Sequence, residues 1–261
     1  MNTTLRLLDV IPTKNPVQPC AQPSERAFTR LELAAVLAAV LLLAVVALPV
    51  LANTKPRADR VTCINNLHLV GRAEHIWAND HNDALPWRVD VSDGGTQQTG
   101  NLQNNAWFNY GKMSNELATP TILACPRDPS AKLARNFSNS PVGFFNPGLR
   151  NNAVSYFIGL DSYVLRGSLP WNLGPTVPTA LGGDRNLQVD VLNVACSSGV
   201  TLAAAVYGDR SFTKWTNAVH GLVGNVLLTD GQVFQTPSAH VAQTIAYTGD
   251  DNSSNHLLLP R

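Results

Sequence analysis

The longest apolar run in the chain, residues 33–52, carries no charge and sits directly behind one carboxylate, Glu32. At about 1.5 Å per residue, twenty helical residues rise about 30 Å, the thickness of a bilayer's hydrocarbon core, so the run predicts a membrane-spanning helix. A carboxylate at the edge of such a helix costs less than one at its centre, but it still calls for a partner. Pro49 removes a backbone hydrogen bond inside the run and predicts a kink. Beyond Arg57 the period changes. Cys63, Leu67, Val70 and Trp77 recur at helical spacing, with Asn65, His68, Arg72, His75 and Asn79 on the opposite face, which is the pattern of an amphipathic helix. A helix is thus expected over 28–78, with Asn53-Thr54 and Pro56 as candidate interruptions and the polar run 79–83 before Pro86 as its stop.

Later, the pattern shortens to strand length. Residues 154–160, 200–206, 225–228 and 232–235 are rich in Val, Leu, Tyr and Phe and are bounded by turn formers, so each predicts a strand. Thr229-Asp230-Gly231 between the last two predicts a hairpin, because Asp-Gly tolerates the positive φ of a tight reversal. Ser238 is placed to cap a short helix over 239–247, after which 249–255 should fray. A helix laid across an antiparallel sheet is an α+β fold.

The apolar run acquires a more specific meaning from its start. Ala27-Phe28-Thr29-Arg30-Leu31-Glu32 followed by an apolar helix resembles the cleavage and methylation signature of type IV pilins and type II secretion pseudopilins. The resemblance implies a cut by a prepilin peptidase between Ala27 and Phe28, methylation of the new Phe28 amine, and Glu32 as the assembly carboxylate that meets a neighbouring subunit's Phe28 ammonium in an apolar bundle. Ala27 stands where that family usually has Gly, and Arg30 where it usually has an apolar residue. Residues 1–27 then read as a leader, set aside from the fold.

Five further elements extend the resemblance. The segments 63–71 (CINNLHLVG) and 77–82 (WANDHN), Cys125-Pro126-Arg127-Asp128, Ser155-Tyr156 and Gly183-Asp184-Arg185-Asn186 look like ordered elements of pseudopilin-like proteins abundant in planctomycetes and verrucomicrobia. His220, nine residues, then Asp230-Gly231 reproduces the H-X9-DG signature of that group. The implied organisation is a leader (1–27), a transmembrane and filament-core helix (28–52), its amphipathic continuation (53–80) and an extracytoplasmic head (81–261). It implies a long transmembrane helical spine packed on an antiparallel β-sheet head. The implied partners are a prepilin peptidase, inner-membrane lipid and like or related pilin subunits. The implied place is the bacterial inner membrane, single-pass, with the head in the periplasm. Charge does not fix that orientation, since Lys14, Arg26 and Arg30 before the run are matched by Lys55, Arg57 and Arg60 after it.

Composition narrows the alternatives. A net charge of +1 with 14% charged residues and no basic cluster with interleaved aromatics argues against nucleic acid as a partner. Cys20 falls in the leader, leaving Cys63, Cys125 and Cys196, of which two could pair in an oxidising compartment. Because the resemblance includes both positions, it implies Cys63 with Cys125. No CxxC or Cys/His spacing of a zinc site occurs, so no metal centre and no cofactor are predicted. His220, Asp184 and Asp230 have the chemistry of a hydrolytic site, and Ser155, His220 and Asp230 the residue types of a triad, without a Gly-x-Ser-x-Gly elbow. Asp184, Asn186 and Asp230 offer oxygen ligands to calcium. The competing reading makes Asp230-Gly231 a turn and His220 a hydrogen-bonded loop anchor. Trp107, Phe108, Tyr110 and Trp171 could stack on sugars or anchor loops. The function the resemblance implies is a structural, non-enzymatic pseudopilin-like subunit that assembles into a type II secretion or type IV pilus-like machine. The alternative is an anchored envelope protein whose head binds or hydrolyses polysaccharide.

Overall fold

The structure, a computed structural model, describes residues 29–162, 178–189, 191–196, 198–208, 212–246 and 254–261, without the side chains of 46 and 48–54. Cys20, Ala27, Phe28 and Trp171 lie outside the described residues. The chain divides into two compact units, Met1–Leu51 and Ala52–Arg261.

In the first unit, helix α1 (Arg30–Asp80) begins. Leu31, Leu33, Leu37, Leu41 and Val45 are each more than half exposed. Among the described residues no helix is long and apolar enough to cross a membrane. The expectation of a transmembrane spine, and with it the single-pass arrangement, is therefore corrected. A span needs about 30 Å of unbroken apolar helix, and the described helix does not offer it.

In the second unit α1 buries Cys63, Leu67, Val70, Ala73, Trp77 and Ala78 on one face. Its backbone is helical through Asn53-Thr54 and Pro56, so the expected interruption does not occur. Two short helices follow, α2 (Ala106–Lys112) and α3 (Ser114–Leu117). The strands are β1 (Tyr156–Gly159), β2 (Ala180–Asp184), β3 (Leu187–Gln188), β4 (Val191–Val194), β5 (Ala203–Tyr207), β6 (Lys214–Trp215), β7 (Val223–Leu228), β8 (Val233–Pro237) and β9 (Ser254–Leu258), with α4 (Ser238–Ala246) after β8. Seven strands form one sheet in the order β4-β5-β9-β1-β2-β7-β8, and β3 pairs with β6 apart from it. Every pairing between these strands is antiparallel.

Side chains alternate across a strand, and here both faces are covered. Tyr156 and Ile158 join the cluster that holds Leu67, Val70 and Leu227, whereas Phe157 joins Val226, Leu257 and the α4 residues Val241 and Ile245 on the other side. Burial on both faces explains why these strands read as continuous apolar runs rather than alternating ones. The Asp-Gly hairpin joins β7 to β8, with Gly231 at φ +83°. Ser238 opens α4 but does not cap it; its hydroxyl accepts Trp215 N at 3.1 Å and donates to Leu222 O.

Five strands, β2, β3, β4, β6 and β9, escape the sequence pattern, and two of them show why. β2 carries Gly182-Gly183, poor strand formers, but a Cβ on Gly183 would fall 2.6 Å from Asn225 O and 2.7 Å from Phe157 Cε1, so close packing demands glycine. Residues 249–253 lie outside the described residues; β9 begins at Ser254, within the last two residues of the stretch expected to fray, and sits between β5 and β1. Its Leu257 and Leu258 are buried, which outweighs the polar residues before them.

Candidate functional site

At the start of α1, Glu32 has a partner within its own chain. Thr29 N and Thr29 Oγ1 donate to Glu32 Oε2 at 2.9 and 3.0 Å, and Glu32 N donates to Thr29 Oγ1 at 3.2 Å. This is a capping box: Thr29 is the N-cap and Glu32 the third helical residue, each satisfying the other's backbone N–H. The two hydrogen bonds from Thr29 hold the Glu32 carboxyl below its ordinary pKa. The Thr-x-x-Glu spacing that signals this cap is present at 29–32 but escapes a reading made for membrane chemistry.

The H-X9-DG segment is one strand with its two ends. β7 occupies six of the intervening positions, so His220 and Asp230 lie at opposite ends of a strand that rises about 20 Å. At the first end, buried His220 places Nε2 3.4 Å from Cys125 Sγ and 3.5 Å from Asp184 Oδ2. Cys125 is disulfide-bonded to Cys63, so that sulfur is neither nucleophile nor thiolate ligand. Arg60 on α1 donates to the His220 carbonyl at 3.2 Å. At the other end Gly231 O accepts from His68 Nδ1 on α1 at 3.0 Å, and exposed Asp230 accepts Gln232 N at 2.9 Å in the turn. Between them, a Cβ on Gly71 of α1 would meet Leu227 of β7 at 2.8 Å. Arg60, Cys63, His68 and Gly71 thus clamp the whole signature strand to α1.

Electrostatics at the buried end favour neutral groups. Burial, reinforced by Arg60 and Arg127, pushes the His220 imidazole down to about 4, and burial pushes Asp184 up to about 7 against the opposing hydrogen bond from Asn225 N at 2.7 Å. An imidazole with that pKa stays uncharged at neutral pH, as a buried anchor should.

The proposed triad and calcium set are not brought together. Ser155 Oγ donates to Asp128 Oδ2 at 2.8 Å and accepts Cys125 N at 3.0 Å, while Asp128 is ion-paired with Arg185 at 2.7 Å. The Cys-Pro-x-Asp and Gly-Asp-Arg-Asn elements are therefore two halves of one buried tie. Asn186 is buried and donates to Thr216 O at 2.9 Å, and Asp184 lies at the His220 end of β7, across the strand from Asp230. Of the aromatics, Tyr110 is fully buried. Trp107 is half-buried, with Phe145 against its edge and the Arg150 guanidinium 4.6 Å from its ring. Both lie on α2 rather than in loops, and pack within the unit.

Two features stand outside the sequence reading. Glu74, on the buried face of α1, is fully buried, and neither carboxyl oxygen has a hydrogen-bond partner among the described residues. Its position, four after Val70 and three before Trp77, places it in the apolar stripe. Asp161, Cys196 and His256 converge from three separate parts of the chain, with no local spacing to announce them.

No protein-family model, no curated protein and no solved structure matches this chain.

Proposed function

We propose that the chain is a structural subunit of the pseudopilin kind, made as a precursor, cut between Ala27 and Phe28 by a prepilin peptidase, methylated on Phe28, and assembled with like or related subunits. The observation that carries this reading is the first part of α1, where Leu33, Val36, Leu37, Leu41, Leu42 and Leu43 stay exposed around the helix. A helix apolar on all sides needs apolar surroundings, which the described residues do not supply. Like helices packed side by side would supply them. The proposed cut falls one residue before the N-cap Thr29, so maturation keeps the capping box whole. Glu32 retains acceptor lone pairs beyond those that Thr29 occupies, and these receive the Phe28 ammonium of a neighbouring subunit. The Cys63–Cys125 disulfide supports an oxidising, extracytoplasmic place for residues 52–261.

The test uses proximity between copies in the native envelope. A Leu41→Cys chain, oxidised in place, is expected to give disulfide-linked dimers, and Glu32→Ala on the same background to reduce them without lowering the amount of chain. Monomer alone would contradict assembly through α1.

A further inference from the structure

Asp161 follows β1 by two positions, Cys196 follows β4 by two, and His256 lies within β9. The sheet brings them side by side. His256 pairs with Ala205 on one side, and its carbonyl accepts Leu160 N at 2.7 Å on the other. Cys196 is held by its N–H to Val200 O at 2.7 Å. One Sγ, one imidazole nitrogen and one carboxylate oxygen then lie within 4.8 Å of one another. Cys196 Sγ is 3.2 Å from Asp161 Oδ1, and His256 Nδ1 is 2.7 Å from Asp161 Oδ2. Among the described residues Cys196 is the free cysteine, and it is buried, whereas the side chains of His256 and Asp161 keep 23% and 11% of their exposure. The cluster is thus open to solvent on the imidazole and carboxylate side.

From this geometry we infer that Asp161, Cys196 and His256 form a binding site for a zinc-class divalent cation. Thiolate, imidazole and carboxylate are the ligand types zinc takes, at about 2.0–2.3 Å, and tetrahedral placement sets ligand atoms about 3.3–3.6 Å apart. The three atoms need shifts of only a few tenths of an ångström to about 1 Å to meet that spacing. Soft sulfur selects zinc over calcium or magnesium, which prefer all-oxygen sites. Binding replaces the Cys196 thiol proton and the proton shared between His256 Nδ1 and Asp161, both of which leave to solvent. Three protein ligands leave a fourth position for water or for a side chain of an adjoining molecule. This site is independent of assembly through α1.

The experiment titrates the full chain, disulfide intact, with Co2+ and then Zn2+. The expected result is one Co2+ per chain with a sulfur-to-cobalt charge-transfer absorption, displaced by Zn2+. Cys196→Ser removes that absorption, and His256→Gln weakens binding about tenfold or more, whereas His68→Gln changes neither. A measurement on the unaltered chain stands beside the variants: Zn2+ should slow alkylation of Cys196. No cobalt–sulfur absorption, one that persists in Cys196→Ser, or alkylation unchanged by Zn2+ would overturn the site.

Discussion

The two parts of α1 break the usual rule of burial in opposite directions. Over residues 31–45 it carries leucines and valines that stay uncovered among the described residues, and in the stretch from Cys63 to Ala78 it buries a carboxyl, Glu74, that has no hydrogen bond among the described residues. The same helix type thus serves two purposes. The later part is packed on its apolar face and anchors the sheet through Arg60, the Cys63–Cys125 disulfide and His68. The early part has a finished cap and, among the described residues, an uncovered apolar surface.

The contrast can be broken most sharply by shaving one leucine from each part. Leu67→Ala leaves a cavity in the core under α1 and should cost about 2–5 kcal/mol in urea unfolding of the 52–261 unit. Leu41→Ala should leave that stability within about 0.5 kcal/mol of the parent. Equal losses would mean that both parts are packed alike.

Glu74 sharpens the comparison from the polar side. Replacing an unpaired buried carboxyl by a similar apolar side chain removes a desolvation cost, so Glu74→Leu should stabilise the unit by about 1–3 kcal/mol at neutral pH. Burial pushes the Glu74 pKa well above its ordinary 4.5. The folded chain therefore keeps the proton at pH values where the unfolded chain has released it. Its contribution is fully present below about 4.5 and is lost as pH rises through the folded value. Stability of the parent relative to Glu74→Gln should accordingly fall with rising pH above about 4.5, and a flat difference would show that Glu74 reaches a partner or solvent.

The smallest effect belongs to the cap. Thr29→Ala should cost the first turn of α1 about 1 kcal/mol, read as faster amide exchange there, with no change in the unfolding midpoint of the 52–261 unit.

Much of this was legible where the signal is local. The amphipathic stripe from Cys63 to Trp77 and the Asp230-Gly231 hairpin follow from spacing and turn chemistry alone. The cap was equally legible, since Thr29 and Glu32 stand three apart, but the apolar run behind them drew attention to the bilayer instead. The meaning of H-X9-DG was not legible. Its spacing measures a strand with an anchor at either end, which separates residues that a reading for catalysis would place together. Nor was the Asp161, Cys196 and His256 cluster, whose members lie 35 and 95 positions apart. Only the strand order, with β9 returning between β5 and β1, makes them neighbours.

The central claim, that the exposed start of α1 belongs to a processed subunit built to meet its own kind, is tested most directly by intact mass and N-terminal sequencing of the protein taken from its native envelope. The expected chain begins with methylated Phe28. A chain still carrying residues 1–27 in the assembled fraction would contradict it.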